Sequence, residues 1–375
     1  MKILMVLSKE FIVDPRVYRE ATSLVKAGHQ VTVVMWDRHA LYEPESTVNG
    51  IRVVRLHNTG CMQRLPHDVI RNPLWWWHAY QKGVQLYNNG FDFDVVHCHD
   101  LDTLLSGVLL KNKLKCTLVY DAHEIFGYMI ENDVPRIVTA FAFRMEKILI
   151  RHVDHLITVN DALHDYFKTI YKKPITIVMN CKELPFQQYS PPKNKVFTVS
   201  FIGNLTPDRL FPQIINALGE IPGIRFVVAG KKENMKQFEE IKTTASKYKN
   251  VEFLGQIPIE EVLQRTCEAN VVITPVDPST TAAKIGTPNK LFEAMACGRP
   301  SILTKGAYAA KIAEDLHIGI AVDYTIDAVK EIVAKLRDNP QLCETLGRNA
   351  FEAAKNTYNW GIMEKRLLNI YKTMT

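Results

Sequence analysis

The sequence has no C-x-x-C pair, no long apolar run, no cluster of Lys and Arg, and no G-x-G-x-x-G. Its seven Cys, at positions 61, 98, 116, 181, 267, 297 and 343, are odd in number and stand far apart. A zinc site or a disulfide framework is therefore not expected, and a reducing cytosol is. The first apolar run, Ile3 to Leu7, has five residues. That is too short for a signal peptide or a membrane span and suits a buried strand, and no other segment reaches spanning length. Without a basic arm, the net charge of +6 points to anionic ligands or an anionic membrane surface and not to nucleic acid. The missing glycine fingerprint disfavours a nicotinamide dehydrogenase. Neither a solenoid repeat nor a low-complexity tract is present.

What is present is an ordinary globular composition, 47% hydrophobic and 23% charged, over 375 residues. That length exceeds what one core serves, so two domains are expected. The first half alternates strands and helices. Strands are expected at 2–7, 30–35, 51–56, 94–97, 117–120, 155–159 and 175–179, with helices at 16–27, 103–111, 134–151 and 161–168. Such alternation implies a parallel sheet covered on both faces. Residues 184–195, rich in Pro and Gln, break the pattern and read as a linker. A second α/β half follows, with strands at 197–202, 225–229, 251–253, 271–274, 301–304 and 320–322, and a helix at 362–374. Two doubly wound halves place ligands in a cleft at the carboxyl ends of their strands.

The strand-end loops carry the chemistry. In "GTPNKLFEAMACGRP", Thr287 reads as an N-cap and Pro288 as the first helical residue. A helix start beside Lys290 is an anion site, or else a structural start beside a solvated Lys. Glu293 sits among Leu291, Phe292 and Met295, and a carboxylate on a largely apolar helix calls for a reason. In "FIGNLTPDRL", Gly203 allows close backbone approach and Arg209 can bridge phosphate oxygens; alone, a surface Arg serves as well. Two cations facing one cleft suit a diphosphate. In "YDAHEIF" and "VHCHD", Asp121, His123 and Glu124 join His97, His99 and Asp100 at neighbouring strand ends. They read as a proton-handling site or as capping residues; no metal-ligand order is present. In "RNPLWWWHAYQK", Trp75, Trp76 and Trp77 cannot share one helix face. They read equally as core packing or as a lipid or acceptor surface.

Taken together these stretches resemble the retaining GT-B glycosyltransferases, in particular glycosyltransferase family four. "GTPNKLFEAMACGRPSI" resembles the donor-site signature, and "DPRVYREATSLVKAGHQVTVV" resembles the first helix and second strand. "VVHCHDLDTL" and "LVYDAHEIF" resemble the central strand ends of the N-domain, while "FIGNL", "FVVAGKK" and "VEFLGQI" resemble those of the C-domain. "NTYNWGIMEKRLLNIYK" resembles the terminal helix that crosses back. The resemblance covers nearly the whole chain. It implies a GT-B fold: an acceptor-binding domain at 1–183 completed by 360–375, and a nucleotide-sugar-binding domain at 196–359. It implies a nucleotide-diphosphate sugar donor, a glycan or lipid-linked acceptor, retention of configuration, and no metal or other cofactor. It implies a cytoplasmic protein of polysaccharide or envelope synthesis, peripheral on the membrane where the acceptor is a lipid.

By the same resemblance His123 stands near the transferred sugar and Arg209 on the diphosphate, as the catalytic pair. Gly203, Asn204, Gln256, Ile257, Thr287, Asn289, Lys290 and Glu293 complete the donor side, with Glu293 on the ribose. Asp14, Arg16, His99 and Asp100 lie on the acceptor side. The chain departs from the family pattern at Ile285, where a second Glu is common, at Asn204, where an Arg is common, and in lacking a Gly-Gly near the first strand end. A sugar-nucleotide epimerase of the same fold and a non-catalytic nucleotide-sugar-binding partner are the rival readings.

Overall fold

The computed structural model describes residues 1–11, 14–58, 60–65, 68–131, 133–230 and 234–374. Of the stretches quoted above, residues 231–232 at the end of "FVVAGKK" lie outside the described residues. The chain divides into two compact units: residues 1–179 with 364–375, and residues 180–363.

The first unit is built on strands β1 (Lys2–Leu7), β2 (Gln30–Asp37), β3 (Glu45–Val48), β4 (Ile51–His57), β5 (Val95–His99), β6 (Thr117–Ala122), β7 (His155–Thr158) and β8 (Ile175–Ile177). Their order is β3-β4-β2-β1-β5-β6-β7-β8. Among the described residues, only the edge strand β3 is antiparallel to its neighbour, β4. Ile3 through Leu7 are all buried, as a strand covered on both faces requires. The first helix, Pro15–Lys26, begins where Asp14 accepts from the backbone N–H groups of Arg16 and Val17 at 3.0 and 3.2 Å. That cap, with Pro at the first position, is the start the sequence announces.

The second unit carries β9 (Phe197–Ile202), β10 (Ile224–Ala229), β11 (Val251–Gly255), β12 (Val271–Thr274), β13 (Ser301–Thr304) and β14 (Gly319–Val322). The order is β11-β10-β9-β12-β13-β14, parallel throughout. Its core joins Val199, Phe201, Phe226, Val271 and Ile273 from the sheet to Ile214, Leu218, Ile241, Val333 and Leu336 from the helices. Residues 184–195 have no regular structure and lie against this unit: Arg299 donates to the Ser190 carbonyl at 2.8 Å. Among the described residues, no helix is long and apolar enough to cross a membrane.

In both sheets the winding direction reverses beside the first strand, between β1 and β5 and between β9 and β12. A reversal opens a crevice at the carboxyl ends of those strands, because the two flanking connections leave in opposite directions.

Candidate functional site

At the first reversal the structure brings together Asp14, Arg16, His99, Asp100 and His123. The Arg16 guanidinium forks onto Asp121 at 2.8 and 2.7 Å and donates to the Val178 carbonyl at 2.7 Å. Burial disfavours its charge, but Asp121 and Glu20 outweigh that and hold it more basic than usual. Asp121, buried itself, is kept far below the usual carboxylate range by Arg16 and His123.

His123 Nδ1 lies 3.1 Å from Asp100 and Nε2 lies 3.0 Å from Asp121. Burial opposes its charge, yet the two carboxylates push its pKa up to about 10. His123 is therefore an imidazolium at neutral pH with both N–H groups engaged. Another hydrogen-bond partner reaches either ring nitrogen only by displacing one of these carboxylates. His99, 3.3 Å from Asp121, is held low by burial and stays neutral. Asp100 adopts a left-handed φ of 63°, and that bend lets its carboxylate accept from the His123 backbone N–H at 3.0 Å.

Glu20, His97, His99 and Asp121 offer ligand-type atoms within 4.8 Å of one another. The Arg16 guanidinium, 3.2 Å from Glu20 and forked on Asp121, already supplies the positive charge there. Burial and Asp121 raise the Glu20 pKa to about 8, so it sits mostly protonated at neutral pH. Sequence reasoning missed Lys9, whose ammonium lies 2.9 Å from Asp14. The charges thus pair off: Lys9 with Asp14, Arg16 with Asp121, and His123 with Asp100.

At the second reversal the residues expected on the donor side collect. Gly203, which follows β9, has φ 152°, and a Cβ there would overlap the Lys290 ammonium. Lys290 Nζ sits 4.7 Å from the centre of the Phe201 ring, a cation–π contact. Burial and then Arg209 lower its pKa to about 8, with Glu293 and Asp208 offsetting part of the shift. Arg209 donates to the Pro275 carbonyl at 3.4 Å and lies 3.3 Å from Asp208. Loops following β9 and β12 therefore share this corner. Asn204, Gln256 and Asn289 are exposed, and Ile257 and Thr287 are half-buried.

One expectation changes here. Thr287 is not the N-cap of the helix: that place falls to Pro288, in extended conformation, and the helix runs Asn289–Cys297 with no side-chain cap bond. Proline's fixed φ fits either position, so the sequence leaves the start ambiguous by one residue. Glu293, on the same helix, lies largely out of solvent. It is 8% exposed, and Oε1 meets the Lys182 ammonium at 3.1 Å. Lys182 is held by backbone pairing, its carbonyl accepting from the Trp360 N–H at 3.0 Å. Nothing in the sequence places residue 182 opposite residue 293.

Comparison with known proteins gives two family matches that together span most of the chain. Residues 14–181 match Glycosyltransferase Family 4, and residues 183–353 match Glycosyl transferases group 1. An uncharacterized glycosyltransferase of Methanocaldococcus jannaschii is 23% identical, over 94% of this chain and 92% of that protein. Among solved structures, sucrose-phosphate synthase from Thermosynechococcus elongatus is similar at a TM-score of 0.79 and 15% identity, over 100% of this chain and 98% of that one. The Anabaena protein HepE, solved in complex with UDP-glucose, is similar at a TM-score of 0.73 and 16% identity, each chain covered in full. These likenesses show a GT-B fold.

Proposed function

Since this chain belongs to the group 1, family 4 glycosyltransferases, which use nucleotide sugars, we propose that it moves a hexose from a UDP- or GDP-sugar to a glycan or lipid-linked acceptor with retention of configuration. The observation that carries this reading is Lys290. Its ammonium is depressed to about 8 beside a second cation, Arg209, and above a glycine that leaves it room. A cation so placed gains most from an arriving anion, and a diphosphate spans two cations better than one.

The chemistry follows from charge. As the bond from the anomeric carbon to the β-phosphate oxygen breaks, negative charge grows on the leaving diphosphate. Lys290, Arg209 and the start of the Asn289–Cys297 helix meet it. The departing phosphate accepts the proton of the incoming hydroxyl, so no side chain has to act as base. The engagement of both His123 nitrogens fits that economy. Glu293 keeps Lys182 on one oxygen, and we assign its carboxylate to the ribose hydroxyls. UDP as the base-carrying half is supported by the Anabaena protein, whose structure contains UDP-glucose.

Proton NMR of the product tests the reading: an α-configured donor is expected to give an α-linked product. An inverted product overturns retention. Free UDP with an epimerised sugar and no acceptor points to the epimerase, and donor binding without turnover points to the non-catalytic partner.

A further inference from the structure

The helix Arg136–Leu149 has an outer face that carries none of the site residues named above. Ile137 is 79% exposed, Phe141 59% and Ile148 48%. At about 100° per residue these three fall within roughly 40° of one another on the helix. Arg136, Arg144 and Lys147, all exposed, fill the adjoining arc of about 80°, and Arg151 continues it into the next turn. The inner face is committed. Ala142 and Leu149 are buried, and Phe143 packs edge-on against Tyr128 at 4.9 Å. The helix has one carboxylate, Glu146, which is buried and accepts from the Tyr120 hydroxyl at 2.8 Å. The outer face is therefore apolar along one edge, cationic along the other, and without an acid of its own.

We propose that this face seats the protein on an anionic lipid surface. Ile137, Phe141 and Ile148 enter the acyl boundary, and Arg136, Arg144, Lys147 and Arg151 reach the headgroup phosphates. The geometry favours this occupant over others. A second copy meeting the same face would set like charges against each other. An apolar protein groove would leave the cationic edge unmatched. A bilayer interface matches both edges at once, because long basic side chains reach up to phosphates while the apolar edge sinks in. At about 1.5 Å per residue, 14 residues make roughly 21 Å, so the helix lies in the plane of the interface and does not cross it.

The test is flotation of the full chain with vesicles of equal parts phosphatidylglycerol and phosphatidylcholine, and with phosphatidylcholine alone, at low salt. The wild type is expected to float with the anionic vesicles only and to be released by salt. The pair Ile137→Ser/Phe141→Ser and, separately, Arg144→Glu/Lys147→Glu should each lower the bound fraction at least about tenfold. Trp77→Ser should float as the wild type does. All these side chains are exposed, and the charge pair leaves the apolar edge intact, so loss of fold in one pair leaves the other as the test. The proposal is overturned if the wild type ignores anionic vesicles, or if both pairs float unchanged. It is also overturned if Trp77→Ser abolishes binding, or if Phe141→Ser splits a dimer and so puts a second copy on this face. No sugar nucleotide enters the readout, so this proposal and the transfer reading fail separately.

Discussion

His123 is the residue whose state the structure changes most from its ordinary one. A histidine between two strand ends reads as a proton donor or a helix start, and the sequence cannot choose, because its partner Asp100 takes an unusual φ to reach it. Once folded, its pKa is about 10 against an unfolded value of about 6.5. The folded state therefore holds the proton more tightly. The stabilisation is fully present below about pH 6.5 and is lost as pH rises through 10. His123→Phe leaves Asp100 and Asp121 without that cation, and should cost roughly 3 kcal/mol at pH 6. Urea unfolding of both proteins at pH 6 and pH 10 checks this. The gap in midpoint should narrow at the higher pH, whereas a constant gap would mean that His123 acts through packing.

The helix Asp68–Asn88 separates what its three Trp residues do. Trp75 is fully buried and stacks on Trp36 at 5.3 Å with the rings 9° apart. Trp76 donates its indole N–H to the Asp102 carbonyl at 2.7 Å, while Trp77 is 51% exposed. Trp75→Ala should destabilise by about 3–5 kcal/mol, and Trp77→Ser should stay within about 0.5 kcal/mol. Thermal melts decide it: equal losses would show one packed cluster. The sequence showed that three adjacent indoles must diverge, but not which one turns inward. Long apolar strands such as Ile3–Leu7 were legible because burial on both faces leaves no polar alternation. The edge strand β3, with the sequence Glu-Ser-Thr-Val, was missed because half of it faces solvent. Thr281–Ile285 and Tyr308–Asp315 were missed as helices. The first is a single short turn, and the second starts after Ala307 with no side-chain cap, so no start signal marks it.

Across the whole chain, two units each gather their candidate site residues where the strand order reverses. That placement was legible in outline, since strand ends can be read from apolar runs. The ion pairs that complete it were not. Lys182 meets Glu293 and Lys9 meets Asp14 through tertiary contacts that leave no periodic trace. The reading as a whole rests on Glu293 gripping the ribose while Arg209 and Lys290 hold the diphosphate. Calorimetric titration tests it most directly, using the wild type and Glu293→Ala, each against a nucleotide sugar and its 2′,3′-dideoxy analogue. With the ribonucleotide sugar, Glu293→Ala should weaken binding by roughly 1.5–3 kcal/mol, as expected for hydrogen bonds to a charged group. With the dideoxy analogue, which has no hydroxyls to lose, the two proteins should bind nearly alike. Equal weakening for both ligands would contradict the assignment and leave Glu293 as the counter-charge of Lys182.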